Sequence, residues 1–245
     1  MSSSSVETVR AAGNDMQLHT AKPDEAGQKP AIIVIQEIFG VDDHIEDVAL
    51  RFAAAGYFAV APELFHRGGA GTVIPYAETE RAFGERDKLS NDDIVADLQA
   101  TVDYLKSNPD VDSDNIGIVG FCFGGFVSYY SAATVSAIKA AAVFYGGGVL
   151  PRPGSPADAP RVLDLTADQV DAPMIGFWGD QDGGIPLENV AAIESTLKSK
   201  GKDYESHTYE GAGHGFFCND RASYNAAAAN DSWSRTIDFF GKHLK

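Results

Sequence analysis

Cysteine is nearly missing from this sequence: Cys122 and Cys218 are the two thiols in 245 residues. Two are too few for a disulfide scaffold, and a reducing, cytoplasmic home is the default expectation. Basic residues are scarce too. Nineteen Lys and Arg against 35 Asp and Glu leave a formal charge of −16. Such a field repels nucleic acids and anionic membranes, so neither is an expected partner. No apolar run approaches the length needed to cross a bilayer. The opening residues Met1-Ser2-Ser3-Ser4-Ser5-Val6-Glu7 lack the basic and apolar regions of a secretory signal. Apolar residues make up 44% of the chain. That is too many for a disordered polymer, and over this length enough for a continuous core without metal or disulfide staples.

The pattern along the chain alternates strands and helices. Residues 1–30 read as an N-terminal edge segment, with short strands near Glu7–Arg10 and Met16–Thr20 joined by a turn at Gly13-Asn14-Asp15. Ala31-Ile32-Ile33-Val34-Ile35 is a β-branched run of the kind buried on both faces of a parallel sheet. Ile45, Val48, Ala49 and Phe52 then recur at helical spacing, and Gly56 is placed to end that helix. Strand Tyr57–Ala61 follows, and a short helix near Ala77–Arg86. A longer helix carries Ile94, Val95, Leu98, Val102 and Leu105. Strand Ile116–Val119, a helix from Phe123 and strand Ala140–Tyr145 continue the alternation, before a Pro/Gly-rich loop. Strand Met174–Trp178, helix Leu187–Lys198 and strand Tyr204–Tyr209 come next. The last helix carries Trp233, Ile237, Phe240 and Leu244 on one face. No linker or repeat interrupts this order. Residues 1–245 therefore predict one doubly wound α/β domain, a mainly parallel sheet flanked by helices on both faces.

One segment carries chemistry: Ile116-Gly117-Ile118-Val119-Gly120-Phe121-Cys122-Phe123-Gly124-Gly125. A cysteine beside a glycine turn is by itself an ordinary packing residue. The apolar strand before it and the helix after it change that reading. In such a nucleophile elbow the turn is so tight that its central side chain stands above the sheet, and Gly120 and Gly124 leave room for neighbouring backbone. The helix from Phe123 aims the positive end of its dipole at the sulfur, and the Phe123 N–H can donate to an oxyanion. A thiol nucleophile needs a base, and the base an orienting acid. Downstream lie Asp180 and Asp182 in Gly179-Asp180-Gln181-Asp182-Gly183-Gly184-Ile185-Pro186, then His214 in Gly211-Ala212-Gly213-His214-Gly215-Phe216. Each group follows a predicted strand, at the carboxyl edge where open α/β sheets bind ligands. Asp182 is preferred for the acid because it lies deeper in its loop, with Asp180 as competitor. His19, His44, His66, His207 and His243 show no comparable setting.

With these segments stand Gln36-Glu37-Ile38-Phe39-Gly40, Ala61-Pro62-Glu63-Leu64-Phe65 and Phe144-Tyr145-Gly146. Taken in this order from about Ile32 to Leu244, the motifs resemble the dienelactone hydrolase family, the cysteine-based branch of the α/β-hydrolases. The resemblance implies a catalytic set of Cys122, Asp182 and His214. It further implies that Glu37 takes the thiol proton when substrate binds, and that Ile38 supplies a second oxyanion N–H beside Phe123. It also implies a hydrogen-bonding place for Tyr145 near the site and a substrate-carboxylate clamp of two arginines. Arg81 is the best match for one, with Arg86 as competitor. The other falls four residues after the histidine, where this chain has Cys218; Arg221, further on, is the candidate replacement. Cys218 reads as a small apolar packing residue, with a protective disulfide to Cys122 as the alternative.

The first expectation is therefore a hydrolase that opens a lactone or small activated ester, carboxylate-bearing ones included, through an acyl-enzyme on Cys122. The substrate is a small molecule, and neither a metal nor an organic cofactor is implied. A broader carboxylesterase or thioesterase on the same scaffold is the second reading. A non-catalytic ligand-binding or redox-sensing α/β domain is the third.

Overall fold

The computed structural model describes residues 3–156 and 158–244. Among these are eight strands and seven α-helices in the alternating order that the sequence predicts. The chain divides into two units, a first that runs to Ile118 and takes in Leu244, and a second, Val119–His243.

In the first unit, strands β1 (Ser3–Ala11) and β2 (Asn14–Lys22) form an antiparallel hairpin. Ala11 pairs with Asn14, so the turn is Ala12-Gly13, one residue earlier than Gly13-Asn14-Asp15. Both turn residues have positive φ, 48° and 84°, which a two-residue hairpin turn needs if its twist is to match the strands. β2 lies antiparallel to β4 (Phe58–Pro62), and β4 runs parallel to β3 (Lys29–Ile35). Ala31–Ile35 are wholly buried, as expected of a run without alternation. Helix α1 (Asp43–Ala54) starts where the Asp42 side chain accepts from the Ile45 N–H. It buries Ile45, Val48, Ala49 and Phe52. The short helix α2 (Thr79–Arg86) is followed by α3 (Asn91–Ser107), which opens with a capping box between Ser90 and Asp93. Its buried face holds Ile94, Leu98, Val102 and Leu105, but Val95 is only half-buried and Asp97 is enclosed instead.

Strand β5 (Val111–Phe121) runs through the division between Ile118 and Val119. It is the last strand of the order β1-β2-β4-β3-β5 and the first of β5-β6-β7-β8. The second unit adds α4 (Phe123–Thr134), β6 (Ile138–Phe144), α5 (Val162–Thr166), β7 (Met174–Gly179), α6 (Leu187–Ser199), β8 (Tyr204–Tyr209) and α7 (Ala226–His243). β6, β7 and β8 are mutually parallel. The buried face of α7 consists of Ala228, Ala229, Ser232, Thr236, Phe239 and Phe240. Trp233 and Ile237 are half-buried, and Leu244 lies past the helix end. The expected stripe is thus rotated by about one residue, because two hydroxyl residues turn inward and bond the helix's own carbonyls, Ser232 to Ala229 and Thr236 to Ser232. Strands mainly parallel and helices on both faces make this the doubly wound α/β fold. Among the described residues, no helix is long and apolar enough to cross a membrane.

Candidate active site

The second unit places Cys122 between β5 and α4 in a strained conformation, φ 56° and ψ −111°. A non-glycine residue holds such angles only where its surroundings over-determine them. Here the Cys122 N–H donates to the Phe144 carbonyl at 3.0 Å, while the Cys122 carbonyl accepts from Phe126 in the first turn of α4. A Cβ on Gly120 would collide with the carbonyl oxygen of Gly124 and lie 2.8 Å from Ser128 Oγ, so only glycine lets the strand turn this tightly. Gly125 and Gly146 form a second contact of this kind, which the sequence reading missed. A Cβ on Gly125 would sit 2.7 Å from Gly146 Cα, and this closeness seats the start of α4 on the end of β6. Phe123 is the first residue of α4, and the leading N–H groups of a helix have no acceptor within it.

The loops after β7 and β8 meet through backbone. Gln181 N–H donates to the Ala212 carbonyl at 2.9 Å, and Gly211 N–H to Asp180 Oδ1 at 2.8 Å. Asp182, with its side chain 3% exposed, accepts at Oδ1 from the Gly184 and Ile185 N–H groups. Its other oxygen, Oδ2, accepts from His214 Nδ1 at 2.7 Å. The structure therefore sets Asp182 against His214 and uses Asp180 to tie down the loop at Gly211. His214 is also hydrogen-bonded to Cys122. Burial works against a charged ring. The negative charge of Cys122, the hydrogen bonds to Asp182 and Cys122 and the charge of Asp182 outweigh it, and the His214 pKa rises to about 10.

Tyr145, also at positive φ (38°), is wholly buried, and its ring meets the His214 ring edge-on at 5.2 Å between centroids. It packs against Phe121, Phe144 and Phe216 as well, so one side of the histidine is walled by aromatics. Gly215, the next residue along from His214, has φ 81°. A Cβ there would collide with the Arg221 guanidinium and lie 3.2 Å from Ser223 Oγ. A cation thus lies over the backbone beside His214. Cys218 is wholly buried, with its N–H on the Gly215 carbonyl, and neither cysteine is in a disulfide. Among the described residues, no three His, Cys, Asp or Glu side chains form a group that could hold a metal ion.

Cys122, Phe123, Tyr145, Asp182 and His214 thus lie in the second unit; Glu37, Ile38 and Arg81 belong to the first. Glu37 and Ile38 are buried in a tight turn after β3, closed by a bridge between Glu37 and Gly40. Arg81, on α2, is half-exposed and paired with Glu78 at 2.9 Å, while Arg86 pairs with Asp87. Two histidines that looked unremarkable in sequence have carboxylate partners here. His66 meets Asp97, and His19 lies between Glu46 and Glu63. Their partners are 27 to 44 residues away, so no local motif could have shown them.

A strand-to-helix turn bearing a nucleophile-type residue, followed by an aspartate and a histidine after later strands, defines the α/β-hydrolases. The comparisons narrow this class. The model of the dienelactone hydrolase family matches residues 16–244. A Synechocystis sp. protein provisionally named carboxymethylenebutenolidase is 39% identical over 93% of this chain and 92% of its own. A Methylorubrum extorquens protein of the same provisional name is 37% identical over 92% and 76%. The crystal structure of a provisionally named dienelactone hydrolase from Klebsiella pneumoniae superposes with a TM-score of 0.89 at 31% identity, covering 99% of this chain and 100% of that one. The chain belongs to the dienelactone hydrolase family, and it is a carboxylic ester hydrolase of lactone or ester type.

Proposed function

We propose that this hydrolase opens a lactone or small activated ester through an acyl-enzyme on Cys122, with residues 1–245 working as one domain. The observation that carries this reading is the hydrogen-bonded row Cys122, His214, Asp182, built on a strained turn. Once Cys122 is a thiolate, His214, with its pKa raised to about 10, is an imidazolium and serves first as an acid. Glu37, by family resemblance, takes the thiol proton when substrate binds. The thiolate then forms a bond to the carbonyl carbon, and the carbonyl electron pair moves to oxygen. The N–H groups of Phe123 and, by resemblance, Ile38 hold that oxyanion. As the intermediate collapses the C–O bond breaks, and His214 protonates the leaving alcohol oxygen. Neutral His214 next takes a proton from the attacking water. The thioester breaks, the acid departs with the imidazolium restored, and Glu37 returns its proton to the sulfur. Asp182 holds the ring so that Nε2 serves Cys122 throughout.

On the substrate side we assign Arg81, from the resemblance, and Arg221, from its place beside Gly215, to a substrate carboxylate, with the aromatic wall at Tyr145 lining the acyl side. Buried Cys218, in place of the family's second arginine, favours a second reading, a broader esterase or thioesterase. Two unbridged, buried thiols support a reducing, cytoplasmic setting. The test is mass spectrometry of protein mixed with p-nitrophenyl acetate, together with a panel of neutral and anionic esters and lactones. An acyl group on Cys122 is expected. Undiminished hydrolysis by Cys122→Ala would overturn the acyl-enzyme on Cys122.

A further inference from the structure

The Glu37–Gly40 turn is held from outside by the segment that follows β4. Leu64 N–H donates to Gln36 Oε1 at 3.2 Å, and Ile74 N–H to the Phe39 carbonyl at 2.8 Å. The Thr72 carbonyl lies so close over Gly40, which has φ 93°, that any Cβ there would collide with it. This segment is itself fastened at Gly71, whose N–H donates to Glu63 Oε2 at 2.8 Å. Glu63 is only 5% exposed, so its carboxylate needs a compensating partner. That partner is His19 on β2: Nε2 meets Glu63 Oε1 at 2.9 Å, and Nδ1 meets Glu46 Oε1 on α1 at 2.7 Å.

A carboxylate accepts and does not donate, so an imidazole with one on each nitrogen satisfies both only as imidazolium. The residues opposite His19 on the neighbouring strands are Val6 on β1 and Ala61 on β4, neither of them charged. Its charged neighbours are therefore Glu46 and Glu63, with His66 acting on Glu63 from beyond. The hydrogen bond to Glu63 raises the His19 pKa; burial opposes it, and Glu46 adds to the rise. Burial pushes the Glu63 pKa up, but its bonds to His19 and Gly71 overcome this and leave it lowered. Both directions favour the ionised pair.

We propose that His19 is a positioning residue for the reaction, its imidazolium holding Glu63 and, through Gly71, the loop that sets the Glu37–Gly40 turn. This rests on the roles given above to Glu37 and Ile38. It also gives a role to Glu63, which the reaction itself does not use. Once pH rises above the raised pKa of His19, the ring keeps one proton for two carboxylates, and the latch loosens.

The test uses the full chain with His19→Ala and Glu63→Gln, a neutral p-nitrophenyl ester, and NMR amide exchange at Gly71 and Ile74. His19→Ala is expected to speed exchange at both amides and to lower kcat by about tenfold with KM within about twofold, the pattern of a misplaced group. In Glu63→Gln the amide oxygen still accepts from Gly71, and its NH₂ donates to neutral His19. This variant is expected to keep kcat within about threefold of the wild type and to remove the part of the wild type's loss of kcat that sets in as pH rises through the raised pKa of His19. The proposal falls if His19→Ala leaves exchange and kcat unchanged, or if Glu63→Gln matches His19→Ala at every pH. Absence of an acyl group on wild-type Cys122 overturns the acyl-enzyme reading instead, and the exchange measurement still decides whether His19 holds the turn.

Discussion

Each unit of this molecule contains a histidine leaning on a buried aspartate, and the two pairs differ in what else they touch. In the first unit Asp97 on α3 is wholly buried and receives Arg67 through two hydrogen bonds, 2.6 and 3.0 Å, besides His66 at 3.1 Å. The His66 side chain has no exposure. In the second unit Asp182 receives two backbone N–H groups and His214, whose side chain is 29% exposed and also meets a thiol. A fork of arginine onto the first carboxylate neutralises it and locks the cluster. Backbone donors leave the second carboxylate its charge, which acts on the histidine and through it on the sulfur. The same pair of residue types is thus a fastening in one place and, in the proposed reaction, a proton relay in the other.

Changes on the two sides of this comparison should separate activity from stability. The largest effect is expected from Cys122→Ala, which removes the proposed nucleophile. Ester hydrolysis should fall by roughly 10⁴-fold or more, with the thermal midpoint shifted by no more than about 2 °C. Steady-state kinetics and a melting curve decide it. Next comes Asp182→Asn, with kcat lower by about 10³-fold because the ring loses its orientation and its counter-charge. In this variant an NMR titration should show the His214 pKa falling from its native value of about 10. The native pKa lies above the ordinary 6.5, so the stabilisation from His214 is complete below pH 6.5 and is lost as pH rises through about 10. Wild-type hydrolysis should decline over the same upper range as the imidazolium deprotonates.

The counterpart in the first unit is Asp97→Asn. Denaturant unfolding should show a loss of about 3 kcal/mol, since a buried pair loses one charge, while kcat of the folded protein stays within about threefold. A large fall in kcat with unchanged stability would erase the distinction between the two clusters. The smallest effects concern the cations. Arg221→Ala and Arg81→Ala should each raise KM for a carboxylate-bearing ester by about fivefold and leave KM for a neutral ester within about twofold. Equal changes for both esters would remove the carboxylate from the specificity argument.

The elbow was legible in the sequence because its constraints are local. Strand, Gly120, Cys122 and helix follow one another along the chain, and the glycine is demanded by a collision four residues away. The preference for Asp182 over Asp180 came from its depth in the loop, and the structure sets it against His214. The clusters around His19 and His66 were illegible for the opposite reason. Their carboxylates come from other helices and loops; helical spacing puts position 97, three residues after Ile94, on the inward face, but an aspartate there does not read as a core residue. The inward turn of Ser232 and Thr236 escaped for a related reason, since each satisfies its hydroxyl within its own helix and so behaves as an apolar residue. Arg221 stood out in the sequence only as the candidate replacement for the missing arginine, and its place against Gly215 depends on how the chain after His214 folds back.

Strand β1 has a consequence for how copies of the protein behave towards one another. It forms an outer edge of the sheet, is exposed along most of its length and carries Ser3, Ser4, Ser5, Glu7, Thr8 and Arg10. Beneath it β2 presents Met16 and Leu18, both wholly buried. Without β1, the next strand would be an apolar edge with open N–H and C=O groups, a ready template for stacking chain on chain. A polar border strand and a surplus of negative charge together oppose that stacking. The colloidal behaviour of concentrated protein is therefore tied to an outer strand, β1, that carries none of the residues assigned to the reaction.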